Sequence, residues 1–467
     1  MREVGDLSIV LHSHMPYVEG FGTYPFGEEW LFDAFARSHL PVLEVARDLT
    51  MSVTPVLADQ LEAPGVPDRM RAFLREHRLG AAERDASGAS ELTPAAQAEA
   101  ARYGRVLRRV DELDGDLLEA FRIAARERGV ALIPSPATHP VLPLIATAAG
   151  RRLQIDAGLR SHRRRFGEAR CLWLPECAYE PGLERLLAEH GVEGFCVDQS
   201  AHEPPLDALA PVRTAVGPLA FTIDWEAVSL VWSERGYPSD PGYLEFHRTS
   251  PNGIRLWSIA GGAYEPDAAA RRAEGDAERF TERVAERLRE FRDERGRPGL
   301  LTFAIDTELL GHWWTEGPTW LRAVLRLAPE RGIRLLTLPD AGASHAGEER
   351  PLRGSSWGEG KDLGTWDSPR VADLAWGARR LELRVLRALD AGRLEQAAAE
   401  RAARELLAVQ ASDWAFLDAK RQAGDYPHAR ALGHAECLLE AIDSDEVPDP
   451  RMRNLAPDLS LSPLVEP

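Results

Sequence analysis

The sequence has 467 residues, 44% hydrophobic and 28% charged, an ordinary globular composition with room for one large domain and a smaller one. Its formal charge of -18 argues against nucleic acid, which asks for a basic surface, and against an anionic membrane, while a neutral polyhydroxylated ligand meets no such objection. No apolar stretch is long enough to span a bilayer, and the start MREVGDLSIV runs into a strand pattern without a signal-like h-region, so a cytoplasmic location is expected. Cys171, Cys177, Cys196 and Cys437 form no C-x-x-C pair and are expected to be reduced, buried thiols. Lysine occurs only as Lys361 and Lys420.

Short apolar runs closed by polar residues recur along the chain. LSIVL at 7–11 ends at His12-Ser13-His14, and further runs are ALIP at 131–134, CLWLP at 171–175, GFCV at 194–197, LAFTI at 219–223 and LLTFAI at 300–305. Helical patterns lie between them, at 30–49, 180–190 and 268–294. Strands spaced by helices predict a parallel sheet covered on both faces. The segment from about 62 to 125 carries no strand signal and is expected to be a helical insertion. After about 345 strand signal disappears: a Gly-, Ser-, Pro- and Trp-rich loop at 342–370 precedes strong helices over 371–441. The tail from 446 carries Pro448, Pro450, Pro457, Pro463 and Pro467 and reads as an extended or mobile end.

His12, His14, His139, Glu176, Asp198, Asp224 and Asp306 each fall at or just past the C-terminal end of a predicted strand, where β/α barrels assemble their sites. A dinucleotide-binding sheet fits worse, because no G-x-G-x-x-G follows the first strand. Glu176, in CLWLPECAY, follows an apolar strand and a proline. It is either a catalytic carboxylate or a strand-end Glu paired with an arginine such as Arg170 or Arg185. Asp306 and Glu308 alternate in LTFAIDTELLGHWWTEG, pointing the same way if the strand persists through both. His312, Trp313 and Trp314 follow, and carboxylate, imidazole and indole together suit a sugar, with one of the two tryptophans expected in the core. Cleaving a glycosidic bond needs two carboxyl groups flanking the oxygen, about 5–5.5 Å apart if a covalent intermediate forms. The histidines also admit a zinc-site reading, against which stand the missing H-E-x-x-H and the many tryptophans. Tyr237, between Gly and Pro residues in SERGYPSDPG, is expected at an exposed loop tip over the site.

The motifs HSHMPY, THPVLPL, WLPECAY, VWSERGYPSDP and IDTELLGHWWTEG closely resemble those of glycoside hydrolase family 57, and SSWG, the Trp366 region and QASDWAF resemble its 1,4-α-glucan branching enzymes. The resemblance runs from about residue 8 to about 440. It implies an α/β fold: a distorted (β/α)7 barrel over 1–345 that includes the helical insertion, and an all-helical C-terminal domain over 346–467 that helps build the cleft. It further implies Glu176 as nucleophile and Asp306 as general acid/base, with no cofactor and no metal. His12 and His14 match histidines lining the donor subsite, and His139 and Asp224 match other cleft positions. Trp30, Trp357, Trp366 and Trp414, with Asp413, resemble residues that guide the glucan; Trp257 is grouped with them, and His312 belongs to the motif holding Asp306. Tyr237 matches a tyrosine on a mobile loop associated with transfer over hydrolysis.

The chain departs from the family pattern at Pro134, Pro136 and Pro140, at Ile223 and Trp225 beside Asp224 (where the usual form resembles R-D-P, so an arginine is missing), and in GFCVDQSAH. The expected partner is an α-glucan such as amylose or a glycogen-like polymer, as monomer or homo-oligomer. A hydrolase or 4-α-glucanotransferase on the same scaffold, and a glucan-binding protein without turnover, are the rival readings.

Overall fold

The computed structural model describes residues 3–19, 27–201, 208–443 and 454–465. Its strands among these are β1 (Gly5–Ser13), β2 (Thr50–Val53), β3 (Ala131–Ile133), β4 (Cys171–Leu172), β5 (Gly194–Val197), β6 (Val212–Arg213), β7 (Leu219–Thr222), β8 (Leu300–Asp306), β9 (Ile333–Leu335) and β10 (Glu348–Glu349). Every residue of β1 is buried, and β8 is buried up to its last residue, as parallel strands covered on both faces must be. Two parallel ladders, β3-β2-β1-β8 and β7-β5-β4, carry the barrel. The Trp173 amide donates to the Pro134 carbonyl at 2.8 Å, joining β3 to β4. At the other seam Ile223 bridges Thr302 in parallel and the Asp224 amide donates to the Thr302 carbonyl at 2.9 Å, joining β7 to β8.

Seven parallel strands therefore go round in the order β1-β2-β3-β4-β5-β7-β8. The barrel is distorted at β1: β2 pairs with residues 10–13, but β9 takes the same flank at residues 5–7. Outside the ring, β6 runs antiparallel to β7 and pairs with β10. β10 is a strand beyond residue 345, where sequence showed none. The sequence pattern also passed over β2, four residues long, in which Thr50 and Ser52 break the apolar run.

The helix Pro266–Arg295 covers β8 together with Gly317–Glu330. Phe280 meets Phe303 and Trp320 edge-on, each with centroids 5.0 Å apart, worth about 0.5–1.5 kcal/mol per pair beyond burial. The 30–49 pattern is not one regular helix. Glu28–Ala34 passes into a π-helical turn at Phe35–His39 and then Leu40–Val45. Such turns recur at functional sites, and this one points Arg37, Ser38 and His39 inward. Gly311 faces it with φ 101°, where a Cβ would lie 2.0 Å from the Arg37 carbonyl oxygen, so only glycine fits.

The 62–125 stretch holds helices between Val66 and Ala86, at Thr93–Glu112 and at Glu119–Arg128. Past residue 371 run the helices Ala372–Asp390, Gln396–Val409, Ser412–Lys420 and Tyr426–Asp443. The part of the tail that is described is docked, against expectation. Leu455 is buried, the Ala456 amide donates to Asp59 at 2.7 Å, and Asp458 accepts from Arg164 at 2.8 Å; Pro448, Pro450 and Pro467 lie outside the described residues. No described helix is long and apolar enough to cross a membrane.

Candidate active site

The site gathers at the C-terminal mouth of the barrel. Register sets its floor: His12 pairs with Ser52 on one side and Asp306 on the other. β4 is two residues long, and the chain turns at once through Glu176 and Cys177, with φ of 58° and 48°. Positive φ is uncommon outside glycine, and strained residues cluster at functional sites. His139 (φ 58°) is a third. The turn is held by the Trp357 amide, which donates to the Glu176 carbonyl at 2.7 Å.

The three mouth histidines form a stack. His139 lies 4.1 Å from His14 and 4.8 Å from His12 between ring centroids, and the indole of Trp173 lies 4.8 Å from His12 at 16°. His12 joins Ser52 Oγ through Nδ1 (2.6 Å) and His139 Nε2 through Nε2 (2.9 Å). His139 Nδ1 meets Ser412 Oγ at 2.9 Å, and Ser412 Oγ donates to Glu176 Oε1 at 3.1 Å. Burial and the neighbouring His14 hold both His12 and His139 well below the ordinary imidazole range. His14 goes the other way. Burial opposes its charge, but Asp413 (2.9 Å from Nε2), Glu308 and Glu176 together lift it above the ordinary value.

The two carboxylates are both made weaker acids. Burial, and then the Asp413 charge, push Glu176 up to about 7, against the Ser412 hydrogen bond and His14. Burial, then Glu308 and Glu176, push Asp306 well above its ordinary value. Both shifts run the same way, so burial and mutual repulsion favour holding a proton on this pair, the condition a general acid needs. Asp306 and Glu308 do not alternate on a strand, contrary to the sequence reading: β8 ends at Asp306 and a 3₁₀ turn carries Glu308. Glu308 accepts from the His14 amide (3.1 Å) and meets His39 Nε2 at 2.5 Å.

The C-terminal helices complete this mouth. Ser412 and Asp413 open a helix whose first amide donates to the His139 carbonyl at 3.1 Å. Asp413 Oδ2 and the indole N–H groups of Trp173 and Trp357 are buried without a protein partner, so they can serve a bound hydroxyl. Trp357 packs edge-on against Trp173 at 5.1 Å. Pro134 and Trp225, two departures from the family pattern, have structural work. Pro134 closes the β3–β4 seam, and the Trp225 ring lies 3.3 Å beneath the Lys361 ammonium, which pairs with Asp198 at 3.0 Å.

Other expected site residues stand differently. Asp224 is fully buried: Oδ1 caps its helix by accepting from Ala227 N at 2.9 Å, and Oδ2 pairs with Arg287. An arginine is thus supplied by the helix Pro266–Arg295, and the fully buried carboxylate presents no surface to a sugar. Trp414 is core, its Nε1 donating to Ala408 O at 2.8 Å. Trp366 is buried in an apolar pocket with Trp414 and Val141. Tyr237 is half-buried beneath Arg279, not an exposed tip; the exposed aromatic of that segment is Trp232. Trp30 leans on Tyr426 at 5.7 Å and Trp257 carries Arg248 over its ring. His312 is held down to about 3 by burial and Arg255, with Nδ1 unpartnered. Of the tryptophan pair, Trp314 is core and Trp313 is 51% exposed. No local pattern in the sequence marks Ser52, Ser412 or Thr54, whose Oγ1 meets His14 Nδ1 at 3.1 Å.

The model of glycosyl hydrolase family 57 matches residues 8–351, and the model of the 1,4-alpha-glucan branching enzyme C-terminal region matches residues 374–457. A 1,4-alpha-glucan branching enzyme of Thermococcus kodakarensis is 32% identical, covering 92% of this chain and 72% of the relative. The crystal structure of a GH57-type branching enzyme from Pyrococcus horikoshii superposes with a TM-score of 0.94 at 31% identity, covering 99% of this chain and 97% of that one. An alpha-amylase, AmyC of Thermotoga maritima, shares the fold with a TM-score of 0.89 at 24% identity, covering all of both chains. The barrel and the helical region both match, along nearly the whole length, and the chain belongs to glycosyl hydrolase family 57.

Proposed function

We propose that this protein is a retaining 1,4-α-glucan branching enzyme. The observation that carries the reading is that Ser412 and Asp413, from the region matched by the branching-enzyme C-terminal model, reach into the barrel mouth and bond the nucleophile candidate Glu176 and His14. Ionised Glu176 attacks the anomeric carbon of an α-1,4-linked donor while Asp306 gives its proton to the leaving oxygen, leaving the donor chain as a glucosyl ester. Asp306, now a base, takes the proton of an acceptor 6-hydroxyl, which displaces Glu176 and forms the α-1,6 branch with net retention. The free indole N–H groups of Trp173 and Trp357 and the free oxygen of Asp413 supply hydrogen bonds to sugar hydroxyls, and the carboxylates of Asp413, Glu308 and Glu176 favour the charged form of His14.

The test is proton NMR of amylose incubated with the enzyme, comparing α-1,6 with α-1,4 anomeric signals and counting reducing ends. New α-1,6 signal with few new ends is expected, and it should vanish in Glu176→Gln. Rising ends without α-1,6 signal would make the protein a hydrolase; altered chain lengths with neither would make it a 4-α-glucanotransferase. Binding without any change in the glucan would leave a non-catalytic relative.

A further inference from the structure

A continuous run of hydrogen bonds crosses the mouth: Ser52 Oγ to His12 Nδ1 (2.6 Å), His12 Nε2 to His139 Nε2 (2.9 Å), His139 Nδ1 to Ser412 Oγ (2.9 Å), and Ser412 Oγ to Glu176 Oε1 (3.1 Å). We propose that Ser412 is a positioning residue through which the ionisation of Glu176 fixes the ring tautomers of His139 and His12. The argument is one of donor counting and rests on Glu176 being the group that ionises, as in the reading above.

Each hydroxyl has one proton to give, and each uncharged ring has one N–H. Both rings are kept uncharged by their burial. The Nε2···Nε2 contact therefore requires that one ring donates there and the other accepts. When Glu176 is a carboxylate it can only accept, so Ser412 donates to it and must accept from His139 Nδ1–H. That leaves His139 Nε2 bare to receive His12 Nε2–H, and leaves His12 Nδ1 to accept from Ser52. When Glu176 is a carboxylic acid its O–H can donate to Ser412, and every bond in the run reverses: His139 then carries its proton on Nε2 and His12 on Nδ1. The proton that neutralises Glu176 comes from solvent. Each ring exchanges one N–H for the other and stays uncharged, so the electron count of every group is preserved.

Forming the glucosyl ester removes the carboxylate charge from the end of the run but brings no O–H, so it ends the obligation of Ser412 to donate to Glu176 without itself imposing the reverse order. Ser412 thereby carries news of the nucleophile's state to a histidine, His12, whose strand partner is Asp306. Glu176 also faces His14, Asp413, Asp306 and, at 3.7 Å from Oε1, His139 Nδ1 itself; these act through space beyond hydrogen-bond reach, and removing the Ser412 hydroxyl leaves all four in place.

The experiment is ring ¹⁵N NMR of the full-length, histidine-labelled protein above and below the Glu176 midpoint of about 7, with His12 and His139 assigned from the signals lost in His12→Gln and His139→Gln. The expected result is Nδ1–H on His139 and Nε2–H on His12 above the midpoint, with both reversed below it. In Ser412→Ala the reversal should be lost, and Ser412→Thr should restore it. Wild-type rings that keep one tautomer pair on both sides overturn the proposal, as do Ser412→Ala rings that still reverse. The wild-type titration needs no variant to fold, and it reads no turnover: absence of α-1,6 product would overturn the branching reading and leave this one standing.

Discussion

Arg287→Met tests whether Asp224 is part of the barrel's construction or of its sugar site. Asp224 has no exposed surface and Arg287 is 8% exposed, and the Asp224 amide is one of the links closing the β7–β8 seam. Removing the guanidinium strands a buried carboxylate with the Ala227 amide as its remaining hydrogen bond, a loss that costs about 3–5 kcal/mol. The reverse change is milder. Asp224→Asn keeps an oxygen to cap Ala227, and Arg287 keeps Glu226 at 3.1 Å, a group that is 40% exposed, so the cost is about 1–2 kcal/mol. The double variant should be more stable than Arg287→Met alone, because the stranded charge is gone. Equilibrium urea unfolding of the three variants measures the order, and turnover per folded molecule should stay near wild type in Arg287→Met. A loss under about 1 kcal/mol in Arg287→Met, or a larger one in Asp224→Asn, would refute the clamp.

Three further predictions bear on the mouth itself. The acidic limb of kcat/KM should lie at about 7, set by Glu176; since the Ser412 hydroxyl favours the carboxylate, Ser412→Ala should move that limb to higher pH, and a limb that moves down would contradict the assignment. Burial holds the Asp306 pKa well above its ordinary value in the fold, so its contribution is fully present below the unfolded value of about 3.8 and is lost as pH climbs towards the folded one; Asp306→Asn should therefore melt higher than wild type at neutral pH while losing turnover, and an unchanged or lower Tm would count against a raised Asp306. Trp313 stacks on Phe246 at 4.3 Å yet is half exposed, so Trp313→Ala should leave Tm within a degree or two and raise KM for long glucans several-fold if the pair is an aromatic landing surface; equal KM for wild type and variant would return Trp313 to plain surface.

How much of this was legible beforehand depends on range. Glu176, Asp306, His12, His14 and His139 announce themselves because each ends an apolar run, and a barrel exposes its strand ends at one mouth. The parallel fold follows from the same alternation. What escaped reading are contacts made across the chain. Ser412 lies 236 residues from Glu176 and Asp224 lies 63 from Arg287, and neither a serine in QASDWAF nor an arginine on a charged helix carries a local mark of its partner. Aromatic exposure is equally hidden: Trp313 and Trp314 are adjacent, and only packing against Tyr243 and Trp320 makes the second one core. The short strands β6 and β10, two residues each, are pairings set by neighbours, below the length at which periodicity has meaning.

The loop of 354–366, which holds Trp357 and Trp366, is moored near its middle by two ammonium groups: Lys361 to Asp198 on the barrel side, and Lys420, from the last turn of the helix Ser412–Lys420, to Glu359 at 3.0 Å. These are the two lysines of the sequence. Acylating reagents and amine-directed surfaces, which on most proteins react at scattered positions, would here find their side-chain targets converging on one segment beside Glu176. Mild acetylation thus becomes a way to untie that segment chemically without mutating it, and immobilisation through lysine would present the protein to its support by its cleft.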